Sequence, residues 1–171
     1  LSAGALPGKS LVVYDPSLQM ALHALCCADG HAQERSLFSS LLDRVEAGDV
    51  WMADRNFCTR DFLLGIDARE AGFIIRQHQG LAYESVNLPT SVGRIDSGNV
   101  MEQRIRIREA HGRGHIVRRI CLLLDEPTRD GDIEIAILTN LPPQVSALQI
   151  ATLYRRRWTI EQAFQELALH L

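Results

Sequence analysis

The first 78 residues alternate between short apolar runs and amphipathic stretches. SLVVYDP, residues 10–16, is an apolar run stopped by Asp-Pro and predicts a strand, and MALHALCC, residues 20–27, predicts a second. In HAQERSLFSSLLDRVEAG, which follows Asp29-Gly30, Leu37, Leu41, Leu42 and Val45 recur at helical spacing, so a helix closed by Gly48 is expected. DVWMADRNF, residues 49–57, predicts a strand ending at Asp54. A helix over 59–70, with Phe62, Leu63 and Ile66 on one side, and a strand at GFIIRQH, residues 72–78, complete a mixed α/β pattern with short connections.

The period then changes. MEQRIRIRE alternates strictly, placing Ile105 and Ile107 on one face and Arg104, Arg106 and Arg108 on the other, so its outer face reads as wholly basic. HIVRRICLLLDE and GDIEIAILTNL predict two further strands, separated by HGRGH and PTRDGD turns. Residues 80–144 therefore read as a β-rich insertion, ended by Pro142-Pro143, between a first core segment at 1–79 and a final helix within 145–171. There is no internal repeat and no low-complexity tract.

Composition narrows the function classes. A chain of 171 residues with 46% hydrophobic content suffices for a packed core. No run of 18 apolar residues is present, and LSAGALPGKS lacks the features of a secretory signal, which leads to the expectation of a cytoplasmic protein without a membrane partner. Cys26, Cys27, Cys58 and Cys121 show no CxxC spacing, so buried free thiols are expected rather than zinc. The net charge of −3 argues against coating nucleic acid by bulk electrostatics. Between Arg94 and Arg119, however, seven arginines face three acids, a local basic patch that includes Arg104, Arg106 and Arg108 as candidate DNA contacts.

The most informative stretch is YRRRWTIEQAFQEL, residues 154–167. On a helix Tyr154, Arg157, Glu161 and Ala168 fall within a sector of roughly 60°, flanked by Trp158, Phe164 and Leu167 as core anchors. Arg157 and Glu161 form an i, i+4 pair of the kind that stabilises exposed helices. Three adjacent guanidiniums exceed what one carboxylate neutralises, and the planar fork of arginine matches phosphate oxygens. A carboxylate among surplus arginines points to phosphate and metal. Asp54, at the C-terminal end of a strand, is read either as the cap of the next turn or as a catalytic acid at the sheet edge where ligands bind.

Together, DGHAQERS, WMADRNF, FIIRQH, the β insertion with its TNLP exit and YRRRWTIEQAF occur in an order that resembles the DDE transposases of bacterial insertion sequences, specifically the fourth insertion-sequence family. The resemblance implies a ribonuclease-H-like mixed sheet with helices and a β-rich insertion. It implies that Asp54 is the second acid of the triad and Glu161 the third, both catalytic and both metal ligands for Mg2+ or Mn2+ in a two-metal displacement. Tyr154 and Arg157 match the phosphate-contacting pair of the motif. DNA at the element ends is the implied partner, with a homodimer at full length. One position departs: where the motif continues Glu-x6-Lys this chain has Ala168, leaving Arg155 or Arg156 to supply the contact.

The first acid of the triad belongs on a strand ahead of two more strands and a helix. Only one further strand and one helix separate Asp15 from Asp54, so Asp15 is assigned to the second strand, and the core is expected to lack its first strand. The rival is a shortened core with Asp15 as first acid. The missing carboxylate implies weak metal binding and little turnover by the isolated chain. His31 and Glu34 are read as helix-start residues beside the Asp29 cap rather than as a metal pair. For Arg55 and Asn56, strand-end order and DNA contact both stay open, and Arg76 and His78 are candidates for phosphate contact or plain surface. The competing class is a non-catalytic nucleic-acid-binding remnant. A plain hydrolase ranks last, since no nucleophile motif accompanies it.

Overall fold

The structure, a computed structural model, describes residues 9–27, 34–108 and 114–157, in two compact units, Leu1–Arg44 and Val45–Leu171. In the first unit β1 (Lys9–Asp15) and β2 (Met20–Cys27) form an antiparallel hairpin. The Asp15 carboxylate closes its turn by accepting from Ser17 N–H at 2.7 Å and Leu18 N–H at 3.1 Å. A 3-10 turn at Glu34–Leu37 leads into α1 (Phe38–Leu42). The expected helix to Gly48 is thus shorter. Glu46 N–H and the Trp51 indole both donate to the Asp49 carboxylate, and Gly48 takes a φ of 87°, a turn geometry that helix continuation would forbid.

The second unit is built on one seven-stranded sheet. Its strands are β3 (Val50–Ala53), β4 (Gly72–Arg76), β5 (Tyr83–Ser85), β6 (Thr90–Ile95), β7 (Gly98–Ile107), β8 (His115–Leu124) and β9 (Glu134–Thr139). The order is β3-β4-β9-β8-β7-β5, with β6 also pairing β7; β3 and β4 are parallel and the other pairings antiparallel. This is the mixed α/β class expected. Strands of the 80–144 segment join those of the preceding segment without a break, because β9 pairs directly with β4.

Register sorts the side chains onto two faces. Ile74, Ile137, Ile120, Leu122, Ile135 and Val100 share one face and are fully buried beneath α3 (residues 147–157), which contributes Ala147, Ile150, Ala151 and Tyr154. On the other face α2 (Arg60–Asp67) brings Leu63 beside Phe73, Ile107 and Val117, and Phe62, Leu63 and Ile66 are buried as the helical spacing predicts. Helices α2 and α3 have sequence-encoded starts. Thr59 caps α2 by accepting from Phe62 N–H at 3.3 Å. Ser146 and Gln149 form a reciprocal capping box at the start of α3, Ser146 N–H to Gln149 Oε1 at 2.8 Å and Gln149 N–H to Ser146 Oγ at 3.2 Å.

Arg118 fastens the segment leading into α3 to the sheet. Its guanidinium donates to Glu102 at 2.6 Å and to the carbonyls of Leu141, Pro142 and Val145 at 3.2, 3.0 and 2.8 Å. Asn140 does the same for the α2 side, accepting from Phe73 N–H at 2.9 Å and donating to Asp67 at 2.7 Å and to the Ala71 carbonyl at 2.9 Å. Among the described residues no helix is long and apolar enough to cross a membrane.

Candidate functional site

Parallel pairing of β3 with β4 sets Ala53 against Ile75, so the chains leave the sheet together and Asp54 stands level with Arg76. Asp54 has extended backbone, φ −80° and ψ −176°, and begins a 3-10 turn at Arg55–Phe57 by accepting from Asn56 N–H at 2.8 Å through Oδ1. It therefore caps the turn and lies at the sheet edge at once. The two roles are compatible because capping uses one carboxylate oxygen and leaves the other with no hydrogen bond among the described residues.

Tyr154 comes to this edge from α3. Fully buried, it packs in the cluster that holds Ile137, the register partner of Arg76. The Arg157 guanidinium lies over its ring, 5.4 Å from the centroid. Among the described residues Arg157 is the side chain nearest to completing the buried Tyr154 hydroxyl, without ideal hydrogen-bond geometry. Burial pushes its pKa up; nearby Arg157 and, more weakly, Arg76 oppose this, while Asp54 adds to the rise. Asp54, Arg76, Tyr154 and Arg157 therefore share one electrostatic neighbourhood.

Arg76 is engaged by an acid that sequence reasoning did not single out. Its guanidinium donates to Asp132, in the turn between β8 and β9, at 2.6 Å, and only 14% of the Arg76 side chain is exposed. This hydrogen bond holds the Asp132 carboxyl below its ordinary range against the opposing effect of burial, and the charge of Arg55 strengthens the shift. The turn is ordered internally: Thr128 Oγ1 accepts from Asp132 N–H at 3.1 Å. Arg55, Arg76 and Asp132 line an open cleft of about 810 Å³ with Gln77, His78 and Tyr83. In the sequence Asp132 looks like any turn acid; only the pairing of β9 with β4 brings it to Arg76.

The other sequence-derived candidates separate into groups. Ile105 and Ile107 are fully buried, as the alternation requires, and Arg104 is exposed. The face bearing Arg104 and Arg106 is not wholly basic, however. Glu102 lies on it, and Glu84 of β5, opposite Arg106 and 3.7 Å from it, pairs with Arg108, whose hydrogen bond and charge hold the Glu84 carboxyl low. Charge balance extends along the patch, with Arg94 paired to Asp125 and Arg119 to Glu134 at 2.9 Å. Three strand spacings of about 4.8 Å separate β7 from β4, so Arg104 and Arg106 form a surface distinct from the Asp54 edge, whereas Arg119 of β8 lines the cleft with Arg76. Arg156 is exposed on α3. Glu161, Trp158, Phe164, Leu167, Ala168 and His31 lie outside the described residues, as does the Glu34 side chain.

The described side chains do not by themselves make a metal site. Among the described residues no group of three His, Cys, Asp or Glu side chains converges, and of the nearby carboxylates Asp132 is committed to Arg76. Asp54 fits a divalent cation in kind, being a carboxylate with one oxygen uncommitted, but it is not a site on its own.

A mixed sheet whose parallel strands β3 and β4 bring Asp54 level with Arg76, covered on one face by a helix carrying Tyr-x2-Arg, is the mixed α/β class expected from the sequence. The transposase DDE domain family matches residues 8–168, and the chain belongs to that family. Its mixed seven-stranded sheet is compatible with the ribonuclease-H-like fold of DDE transposases. Family membership implies a DNA substrate, and members generally use divalent metal ions. No curated protein matches the chain.

Proposed function

We propose that this chain is the catalytic core of an insertion-sequence transposase, of the fourth insertion-sequence family, which cleaves phosphodiester bonds at the element ends and transfers the strands. One observation carries the reading most directly. Asp54 stands at the end of β3, level with Arg76, in the charge neighbourhood of a buried tyrosine from α3. Asp54 and Glu161, seven positions beyond Tyr154, are the acids that would hold Mg2+ or Mn2+. Bound there, the metal would supply charge for a developing phosphate oxyanion. The remaining work belongs to the chain. Tyr154, Arg156 and Arg157 hold a substrate phosphate, while Arg104, Arg106 and Arg108 grip DNA farther across the sheet. Asp15, which closes its hairpin turn through Oδ1, is left out of the acid set because strand order assigns it to the second strand rather than the first. The working form is a cytoplasmic homodimer.

The full-length product of the gene encoding this chain should nick supercoiled DNA bearing the element ends only with Mg2+ or Mn2+ present. Asp54→Asn and Glu161→Gln should each lower that rate at least about 100-fold while leaving DNA binding intact. Binding without nicking under every metal condition would instead identify a non-catalytic remnant. Nicking that persists in Asp54→Asn would remove Asp54 from the acid set.

A further inference from the structure

We infer that the bulge between β5 and β6, residues 86–89, is a DNA wedge: it presses the Leu88 side chain into a base step of a duplex from the minor groove, while Arg104 of β7 holds the phosphate beside it. The inference rests on the transposase reading for DNA as the partner, and the wedge itself is argued from the packing of the bulge.

The register along β7 explains why the chain leaves the sheet here. β5 and β6 lie end to end on the outer side of β7, where Ser85 opposes Ile105 and Thr90 opposes Glu102. Residues 86–89 therefore face only residues 103 and 104, and two residues are left over. Hydrogen bonds decide which two. Val86 N–H donates to the Arg104 carbonyl at 2.9 Å, and the Asn87 carboxamide stands in for backbone by accepting from Arg104 N–H at 2.6 Å. From within the sheet Gln103, only 5% exposed, donates through Nε2 to the Asn87 carbonyl at 3.3 Å and to Ser85 Oγ at 3.2 Å. Leu88 and Pro89 are thus the surplus. Leu88 is 82% exposed, more than any other large apolar side chain among the described residues.

The tip is rigid before a partner arrives. Burying the Gln103 amide is costly unless its hydrogens are satisfied, and its Nε2 bonds both go to the base of this bulge. Pro89 fixes its own backbone. A leucine carried on such a frame binds with little further ordering.

The neighbouring cation selects the partner. Arg104 is exposed and has no ion pair among the described residues, whereas Glu84 engages Arg106 and Arg108. The hydrogen bonds of Val86 and Asn87 both end on Arg104, so the bare apolar tip and the bare cation belong to one rigid piece. Duplex DNA answers both at once: an opened base step accepts the apolar side chain and the bordering phosphate accepts the guanidinium. An apolar protein pocket answers only the leucine. Because opening a step works against stacking, the wedge favours steps that are already weak, such as a mismatch.

The test uses the 171-residue chain and two fluorescein-labelled 20-base-pair duplexes read by anisotropy, one fully paired and one with a central T·T mismatch. Unlabelled copies carrying 2-aminopurine beside the same step report unstacking by fluorescence. The mismatched duplex should bind roughly five- to tenfold more tightly than the paired one, and its 2-aminopurine should brighten on binding. Leu88→Ala should remove the preference and the brightening, with the melting temperature and the salt slope unchanged, and Leu88→Met should keep both signals. Arg104→Ala should instead weaken both duplexes alike and lower the salt slope by about 0.9. A preference and brightening that survive Leu88→Ala would overturn the wedge while leaving DNA binding, and with it the transposase reading, in place. Absence of salt-dependent binding to either duplex by the unaltered chain would defeat that reading and the wedge together. If Leu88→Ala leaves both duplexes unaffected but lowers a concentration-dependent mass in sedimentation, the tip meets a second copy of the chain and the wedge is overturned.

Discussion

Among single residues, burial acts most plainly on the thiols. Cys58 and Cys121 are buried free cysteines, and burial pushes their pKa values from 9.0 up to about 11 and about 12; the backbone near His78 eases the first and the Arg119 charge eases the second. Because the folded-state values lie above the unfolded one, the folded chain holds protons that the unfolded chain gives up. The associated stability is complete below pH 9 and is lost as pH rises toward 11 and 12. Urea unfolding should accordingly show a falling free energy above pH 9, and the Cys58→Ala, Cys121→Ala double variant should show a shallower fall. Identical alkaline slopes would mean that other groups dominate the titration. The thiols should also resist alkylation at pH 8 until the chain unfolds, since they stay protonated and covered.

Elements are held in place by few, fully used side chains. Arg118 satisfies Glu102 and three carbonyls of the segment entering α3, with only 11% of its side chain exposed. Its loss orphans a carboxylate and those carbonyls together, so Arg118→Ala should destabilise the chain by about 3 kcal/mol or more. Arg118→Lys should recover only part of that, because an ammonium lacks the planar fork. Thermal or urea melts would show this, and a loss below about 1 kcal/mol would mean α3 is held by its apolar face alone.

Across the whole molecule charge is arranged in pairs, which alters what a basic patch means. The chain is net −3, and arginines 94, 106, 108, 118 and 119 are each matched to an acid on a neighbouring strand or turn. Arg104 has no ion pair among the described residues, so it is the arginine of β7 free to exchange counterions. Arg104→Ala should therefore reduce the dependence of duplex binding on log salt by about 0.9, one phosphate contact. Glu84→Gln should steepen it by freeing Arg106 and Arg108. Salt slopes unchanged in both variants would show that this surface does not meet DNA.

Much of this organisation was legible in order along the chain. Strand alternation placed Ile105 and Ile107 inside; helical spacing placed Phe62, Leu63 and Ile66 inside; and a strand ending at Asp54 followed from its apolar run. These features are local, set by side-chain period and by residues within a turn of one another. Helix α1 is shorter than its apolar spacing, which runs to Val45, because the Asp49 carboxylate organises a turn instead, a competition between side-chain hydrogen bonding and helix that spacing does not reveal. Pairing across the sheet belonged to tertiary structure alone. The register of β9 on β4 brought Asp132 to Arg76 across 56 residues, and β5 against β7 brought Glu84 to the arginines across 22 and 24 residues. Those partners meet because strands far apart in sequence share hydrogen bonds, so periodicity fixed which residues face inward while strand order decided which charges meet.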